Sequence, residues 1–537
     1  MEICEKKIII EKAKNGEETC KILVDDKWKY VYSKYRPRES IYLPSIAPET
    51  DCVVLGLGLG YELFSIREKT NGNIIVIDKN SFFLRHLSDK EPFRNLLKDP
   101  GIRFFIGEDY EKILPCHPDV HFIPTQIAQI ELDYYSKIIQ KLQKKNLSYR
   151  TKEKIIFLEH PTIADDCMDA LRYLGYEVKK ISFEGKKDLT LSLAKENPDY
   201  LFSINPSRDA LFASKTMDVP YIFWTVDTPH YQLYFRKMID NSVFAFVYDK
   251  AIVDEMKGKG YKNIFYMPVA ANIRRLERIA ATEDDIERFS SDLSFVGTSG
   301  IENEYNLYQF ERHLNASLLK KIYSLFEEQK KERHKTLIKE RVDSSLVEEL
   351  EKQMGPLSAE DLLDKKDKLA FFLSRKYNEL ERIGWIRSLS QRYPCKVYGD
   401  AHWEKVHAKR LTYMGYAEHF VEMPKIFRIS KINLNITRVF VESGLPMRIF
   451  DVLGSGGFLL SNNNADVESL FHPGKDLLAY RDLTDLEEII PYYLNHEEER
   501  KEIAYNGCET VKKEHTYEKR LKKIMSIVKE KIKRRTS

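Results

Sequence analysis

The sequence predicts an α/β protein of parallel sheets, and two observations carry that reading. Short apolar runs bounded by turn residues recur at 52–57, 74–77, 155–158, 200–204, 221–224, 243–248, 293–296, 396–398, 432–436 and 458–460. Each has the length of a strand buried on both faces, as the strands of parallel sheets are. Amphipathic helical stretches separate most of these runs, and strand–helix–strand alternation places helices on both faces of a parallel sheet.

A chain of 537 residues has room for about three domains at roughly 100–200 residues each. Residues 1–148 open with β-structure, continue through a glycine-rich strand–turn–helix and leave by a basic helical stretch at 138–154. Residues 150–285 are a second α/β block whose strands end in loops holding Asn205, Asp227 and Asp249. Residues 290–515 are a third, interrupted at about 303–390 by a charged helical excursion too long to be a loop. Residues 516–537 carry apolar side chains at helical spacing on a basic background, which suits a helix packed across a domain junction.

Composition excludes several classes. Hydrophobic residues make up 43% and charged residues 31%, which is globular and not disordered. Lys and Arg total 86 against 83 Asp and Glu, a net charge of +3, so no basic surplus argues for nucleic acid. No run approaches the ~20 apolar residues of a membrane span. The only apolar run near the start is residues 8–10, so no secretory signal is expected and the expected location is the cytoplasm. The seven cysteines are scattered and form no CxxC pair, as free thiols of a reducing compartment would be. Cys116, His117 and His121 lie close together, but Pro115 and Pro118 make that segment a loop, and no metal site is expected there.

Two glycine-rich turns stand out. In VVLGLGLGYELFSI, Gly56, Gly58 and Gly60 follow a buried strand and precede a helix, and a second strand ends at Asp78. Such glycines let a ligand approach the backbone, the helix start favours an anion, and the acid can bond a ribose hydroxyl. The pattern resembles the S-adenosylmethionine site of class I methyltransferases as much as a dinucleotide site. A second ligand site and a ligand-free structural turn are both open, and no methyl-acceptor motif follows.

The sharper pattern is SKINLNITRVFVESGLPMRIFDVLGSGGFLLSNN at 430–463. A strand leads to a loop ending Glu442-Ser443-Gly444. Pro446 suits a first helical turn, where its missing N–H is no loss. Arg448 and Asp451 then fall on one face. Free amides near Ser443, Gly444 and the helix start can cradle a diphosphate, Arg448 can add charge-assisted hydrogen bonds, and Asp451 can accept both hydroxyls of a ribose. An ordinary strand–loop–helix with a surface Arg–Asp pair has the same sequence.

The order of neighbouring segments resembles the CgeB-like (spore maturation protein type) glycosyltransferases of the GT-B class. The residues that carry it are SFVGTSG, VYGDAHW, INLNITR, SGLPMRIFDVLGSGGFLLSN, LFHPGKDLLAY and HTYEKR, within about 290–522. PDYLFSINPS, PYIFWTVDTPHY and FVYDKAIVDEMKGKGYKNIFYMPVAAN look like the preceding domain of the same group. LGLGLGYEL looks like the leading domain of Maf-type flagellin glycosyltransferases. The resemblance implies a GT-B pair of Rossmann-like domains preceded by an additional N-terminal α/β domain. It implies a bacterial, metal-independent enzyme with a nucleotide-sugar donor as substrate, no cofactor, and a protein (flagellin among them) or surface glycan as acceptor.

The resemblance also assigns roles. Gly297, Thr298 and Ser299 match the loop that faces the diphosphate. Tyr413 to Tyr416, with Gly415, match the turn beside the base. Ser443 and Gly444 match the phosphate loop. Asp451 stands where many GT-B enzymes carry a ribose-binding Glu. Ser443 falls on the acidic partner of the retaining pattern and Glu442 sits one place off, which leaves retention or inversion open.

Glycosyl transfer needs stabilisation of a leaving nucleoside diphosphate, which GT-B sites supply with helix ends, amides and basic side chains. Arg448 is the first candidate and Arg438 the second. An inverting enzyme also needs a base. Asp227, in the loop after a buried strand, leads, and His230 follows. Trp224 can stack on a sugar or belong to the core, and Asn205 is equally a turn former. Two other classes stay open, a methyltransferase acting through the first glycine turn and a catalytically inactive interaction protein.

Overall fold

Four sheets carry the chain in a computed structural model that describes residues 8–24, 27–41, 43–113, 120–144, 151–333, 335–359 and 361–536. Cys4, Cys116 and His117 lie outside the described residues, as does 145–150 of the basic exit. Cys20, Cys52, Cys167, Cys395 and Cys508 are free thiols. Among the described residues, no helix is long and apolar enough to cross a membrane. The fold class is the α/β class expected.

The chain divides into two compact units, one of residues 1–156, 182–201 and 209–220, the other of 157–181, 202–208 and 221–537. In the first, β1 (Ile8–Lys12), β2 (Glu18–Val24) and β3 (Lys27–Tyr30) form an antiparallel sheet with Ile8 opposite Ile22 and Lys21 opposite Tyr30. Then β4 (Cys52–Leu55), β5 (Ile74–Asp78), β6 (Ile102–Ile106) and β7 (His121–Pro124) make a parallel sheet in the order β6-β5-β4-β7. The sequence of β4, CVVL, is buried at every position because both faces are covered. His121 is therefore the start of a strand.

At the first glycine turn, where a second ligand site at Gly56, Gly58, Gly60 and Asp78 and a ligand-free structural turn were both open, the chain's own side chains pack against the backbone. All three glycines have positive φ. The Tyr32 hydroxyl donates to Glu62 Oε2 at 3.0 Å and accepts from the Leu59 amide at 3.2 Å. A Cβ at Gly58 would lie 2.1 Å from that hydroxyl, and one at Gly56 would lie 2.3 Å from Ile127. Asp78 is spent on the same turn. Its Oδ2 accepts from the Leu57 amide at 2.6 Å, and burial pushes its carboxyl up to about 6. At Gly56 and Gly58 the absence of a Cβ serves close packing against Ile127 and Tyr32.

Two six-stranded sheets follow. One comprises β8 (Lys154–Leu158), β9 (Glu177–Ile181), β10 (Tyr200–Ile204), β11 (Tyr221–Thr225), β12 (Val243–Val247) and β13 (Ile264–Tyr266), ordered β13-β12-β11-β10-β8-β9. The other comprises β14 (Leu293–Val296), β15 (Cys395–Tyr398), β16 (Leu411–Tyr413), β17 (Ile432–Asn435), β18 (Leu459–Asn462) and β19 (Leu478–Tyr480), all parallel in the order β16-β15-β14-β17-β18-β19. This is the pair of Rossmann-like sheets that the GT-B resemblance implies.

Strand order fixes where a ligand can enter. In an open parallel sheet the crevice lies beyond the carboxyl ends of the strands where the order reverses. In the second sheet the reversal falls between β14 and β17, so the loops after 296 and after 435 part there. In the first it falls between β8 and β10, which places the loops holding His160 and Asn205 at the corresponding point.

Between β14 and β15 the described residues make six helices, ending with the long Lys365–Arg392. They bury their own apolar cluster, including Phe310, Leu318, Ile322, Leu369 and Phe372. The final helix, Tyr517–Thr536, returns to the β8–β13 half of the same unit. Thr516 bridges to Ala271, Arg520 Nε donates to the Pro268 carbonyl at 3.0 Å, and Tyr517 meets Trp224 edge-on at 6.0 Å. Trp224 is fully buried and donates to the Met267 carbonyl at 3.0 Å, so it belongs to the core.

Gly58→Val is expected to lower unfolding stability by about 2–4 kcal/mol, from strain at positive φ and overpacking against Tyr32. Denaturant titration of the two proteins checks this; an unchanged midpoint would mean the turn is open.

Candidate active site

At the carboxyl ends of the two six-stranded sheets lies a cleft of about 290 Å³, whose walls include Asp227, Thr298, Arg438, Arg448 and Asp451. β14 delivers Gly297 and Thr298, and β17 delivers Thr437 and Arg438. Pro446, with φ −66°, caps helix Met447–Gly454, whose first turns carry Arg448 and Asp451 into the cleft. Of the amides that open this helix, Ile449 donates to the Pro446 carbonyl at 3.1 Å, and those of Met447 and Arg448 precede the first intrahelical bond, where an anion is favoured.

The basic side chains of the cleft are short of carboxylates. Arg448 lies 3.8 Å from Asp451, donates Nη1 to Met423 Sδ at 3.1 Å, and keeps a buried Nε with no partner. Arg382, from helix Lys365–Arg392, donates to the carbonyls of Thr298 and Ile436, both at 3.1 Å, and its buried Nε is also unpartnered. Burial, and then the neighbouring Arg438 charge, push the Arg382 guanidinium down to about 9. Burial first and then Arg375 depress Arg438, which lies 5.8 Å over the Phe440 ring. Burial also lowers Arg448 and raises Asp451. Burying a charge without its counter-ion costs several kcal/mol. The missing partner of these cations is an anion, and a nucleoside diphosphate is one.

On the opposite wall, Asn205 holds Asp227. Asn205 sits at φ 62°, donates Nδ2 to Asp227 Oδ2 at 2.8 Å and accepts from the Val226 amide at 3.0 Å. It is thus a turn residue and a positioner at once. His160 and His230 lie within reach of the Asp227 charge. Burial pushes both imidazoles below their usual 6.5, and the carboxylate opposes that shift. His230 keeps a buried Nδ1 without a partner. Neutral imidazoles beside a carboxylate can take up a proton near pH 7.

The structure brings together Asp227, Gly297, Thr298, Arg438, Arg448 and Asp451 on the cleft wall; His230 is not on that wall and feels the Asp227 charge. It places the others elsewhere. Ser443 Oγ donates to Asp249 Oδ1 at 2.8 Å and accepts from the Lys250 amide at 2.9 Å, which ties it to the start of helix Lys250–Gly258. A Cβ on Gly444 would stand 2.8 Å from the Tyr248 ring. Ser443 and Gly444 are thus engaged within the chain, and neither is on the cleft wall. Glu442 pairs with Lys339 at 2.9 Å, outside the cleft. Ser299 is fully buried and bound through Oγ and its amide to Asp400 at 2.8 and 2.6 Å. Tyr413 donates to the Gly399 carbonyl at 3.2 Å, and the Gly415 carbonyl accepts from the Gly399 amide at 3.0 Å. The turn they make instead presents Tyr416, 72% exposed, and His419 to the cleft.

His160, Arg382 and His419 were not anticipated. His160 follows a buried strand as Asp227 does, so the same pattern pointed to it. Arg382 lies within a long charged helix, where nothing in the local sequence separates it from a solvated residue.

Residues 381–526 match the family model described as "Glycosyl transferase-like". The matched stretch spans β15 to β19 and includes Arg382, Arg438, Arg448 and Asp451. Similar solved structures include a glycosyltransferase from Rickettsia africae, 11% identical, covering 72% of this chain and all of its own, with a TM-score of 0.41. Anabaena HepE in complex with UDP and glucose is 10% identical over 70% of this chain and all of its own, with a TM-score of 0.43. Sucrose-phosphate synthase of Thermosynechococcus elongatus is 9% identical over 71% of this chain and 99% of its own, with a TM-score of 0.40. No curated protein matches the sequence. The fold assignment rests on the strand order of the chain itself.

His230 is expected to titrate below 6.5, and Asp227→Asn to lower it further, because the carboxylate charge favours the imidazolium. NMR titration of the imidazole carbons checks both; a rise on Asp227→Asn would place the two groups apart.

Proposed function

We propose that the protein is a GT-B glycosyltransferase that moves a sugar from a nucleotide-activated donor to a protein or surface-glycan acceptor. The observation that carries this is the cleft between parallel sheets lined by Arg382, Arg438 and Arg448, with Asp451 beside Arg448 at 3.8 Å and Asp227 also on the wall. The diphosphate sits against the amides after Pro446 and the guanidinium of Arg448, with Arg438 beside it. The ribose hydroxyls donate to Asp451, and Tyr416 flanks the base.

As the glycosidic bond breaks, negative charge grows on the leaving diphosphate oxygen. Fixed guanidinium and amide donors in a site of low dielectric stabilise that charge without reorganising. The acceptor hydroxyl enters from the Asp227 side. Asp227, oriented by Asn205, takes its proton directly or through the neutral imidazole of His160 or His230. The chemistry is assigned to the chain's own residues, with no metal. We extend the proposal to the blocks read from the sequence. Residues 150–285 form the acceptor side, 290–515 the donor side, 516–537 the closing helix, and 1–148 recruit the acceptor or a partner, in a bacterial cytoplasm.

Isothermal calorimetry with UDP, GDP, dTDP and CMP is expected to find one that binds. Arg448→Ala and Asp451→Ala are each expected to weaken it at least about tenfold, or ~1.4 kcal/mol. Binding of none, or binding indifferent to both substitutions, would remove the proposal. With an acceptor in hand, kcat/KM should fall as pH drops below 6.5, because the histidines lowered by burial protonate there. A flat profile through that range would exclude them as the base.

A further inference from the structure

Beside the cleft, and sharing Thr298, Arg382 and Arg438 with it, lies a second pocket of about 220 Å³. Its far wall is the helical excursion, which contributes Arg375 and Asn378 from helix Lys365–Arg392. Its acids are already engaged. Glu379 accepts from Asn303 and Asn306, both at 2.7 Å, and from Lys376 at 2.8 Å. Asp400 accepts from Ser299 Oγ at 2.8 Å, and Glu302, largely exposed, stands 3.1 Å from His402.

The donors are not used up. Asn378 is 5% exposed, and its Oδ1 accepts from the Val439 amide at 2.8 Å while Nδ2 has no partner. Arg382 Nε is buried and unpartnered on the same wall. A buried donor without an acceptor costs about 1–3 kcal/mol, so such a group marks a place where an acceptor belongs. The two unused groups, Asn378 Nδ2 and the cationic Arg382 Nε, are both donors. They fit a group that only accepts hydrogen bonds, which is an oxyanion.

We propose that this pocket is a second oxyanion subsite, distinct from the diphosphate seat, in which Asn378 and Arg382 bind a carboxylate or phosphate borne by the transferred sugar or by its acceptor. The inference rests on the reading of the adjoining cleft as a nucleotide-sugar seat. It makes the helical excursion the element that selects an acidic substrate.

Asn378→Asp tests it closely. The substitution keeps the oxygen that accepts from Val439 and exchanges the unpartnered donor for a negative oxygen. Wild type and variant are titrated calorimetrically with UDP-glucose against UDP-glucuronate, with GDP-mannose against GDP-mannuronate, and with inorganic phosphate at saturating nucleoside diphosphate. The expected result takes one of two forms. Tighter binding of the acidic conjugate, by about tenfold or more, places the oxyanion on the donor sugar. Capture of phosphate beside the bound nucleotide places it on the acceptor. In either form Asn378→Asp loses that binding at least about tenfold and keeps the bare nucleoside diphosphate within about threefold. Should Asn378→Asp not fold, Arg382→Lys, which keeps a charge and removes Nε, is expected to lose the oxyanion by at least about tenfold more than it loses the bare nucleoside diphosphate, since Arg382 lines both pockets. Equal binding of the paired conjugates with no uptake of phosphate, or an oxyanion bound equally by wild type and variants, overturns the subsite. Phosphate captured by wild type and lost in Asn378→Asp, with no nucleotide bound by either, keeps the subsite and removes the reading of the cleft.

Discussion

Guanidinium groups held out of water without carboxylates are the constraint on which the rest of the molecule depends. Arg382 is anchored by two backbone carbonyls, which fix its position and leave its charge uncompensated. Arg448 has its acid at 3.8 Å, a distance at which the pair attracts without closing a hydrogen bond. Such an arrangement is costly in an empty protein and favourable once an anion arrives. The fold bears that cost through two well-buried parallel sheets, whose strand cores, such as YIFWT and VFAFV, are covered on every residue.

Topology turns that rigidity into a site. Each six-stranded sheet reverses its strand order once, and the side chains proposed for chemistry stand at or beside that point. Donor-binding groups follow β14 and β17, proton-accepting groups follow β8 and β11, and the positioning Asn205 follows β10. The helical excursion between β14 and β15 adds Arg375, Asn378 and Arg382 to the same region from a separate cluster of apolar side chains. Binding and selectivity can therefore change independently, one on strand ends and one on an inserted helix.

The strands were legible because parallel strands are buried on both faces and so appear as short unbroken apolar runs. The edge strands Ile264–Tyr266, Leu411–Tyr413 and Leu478–Tyr480 were not, since three residues carry no period. Arg448 and Asp451 were legible from helical spacing and a preceding proline. The fate of the two glycine turns was not, because what fills them comes from far along the chain. Tyr32 closes the turn at Gly58, and Asp249 and Tyr248 engage Ser443 and Gly444 across nearly two hundred residues. A glycine pattern reports that something must approach the backbone, and a tyrosine satisfies that requirement as a cofactor would. The orphan donors of Asn378 and Arg382 are a property of packing alone.

A crystal structure with a nucleoside diphosphate bound tests the central claim most directly. The account predicts the diphosphate against the amides that follow Pro446 and the guanidiniums of Arg448 and Arg438, with the ribose on Asp451. A nucleotide found at the turn of Gly56, Gly58 and Gly60, or a cleft that stays empty while the nucleotide binds elsewhere, would contradict it.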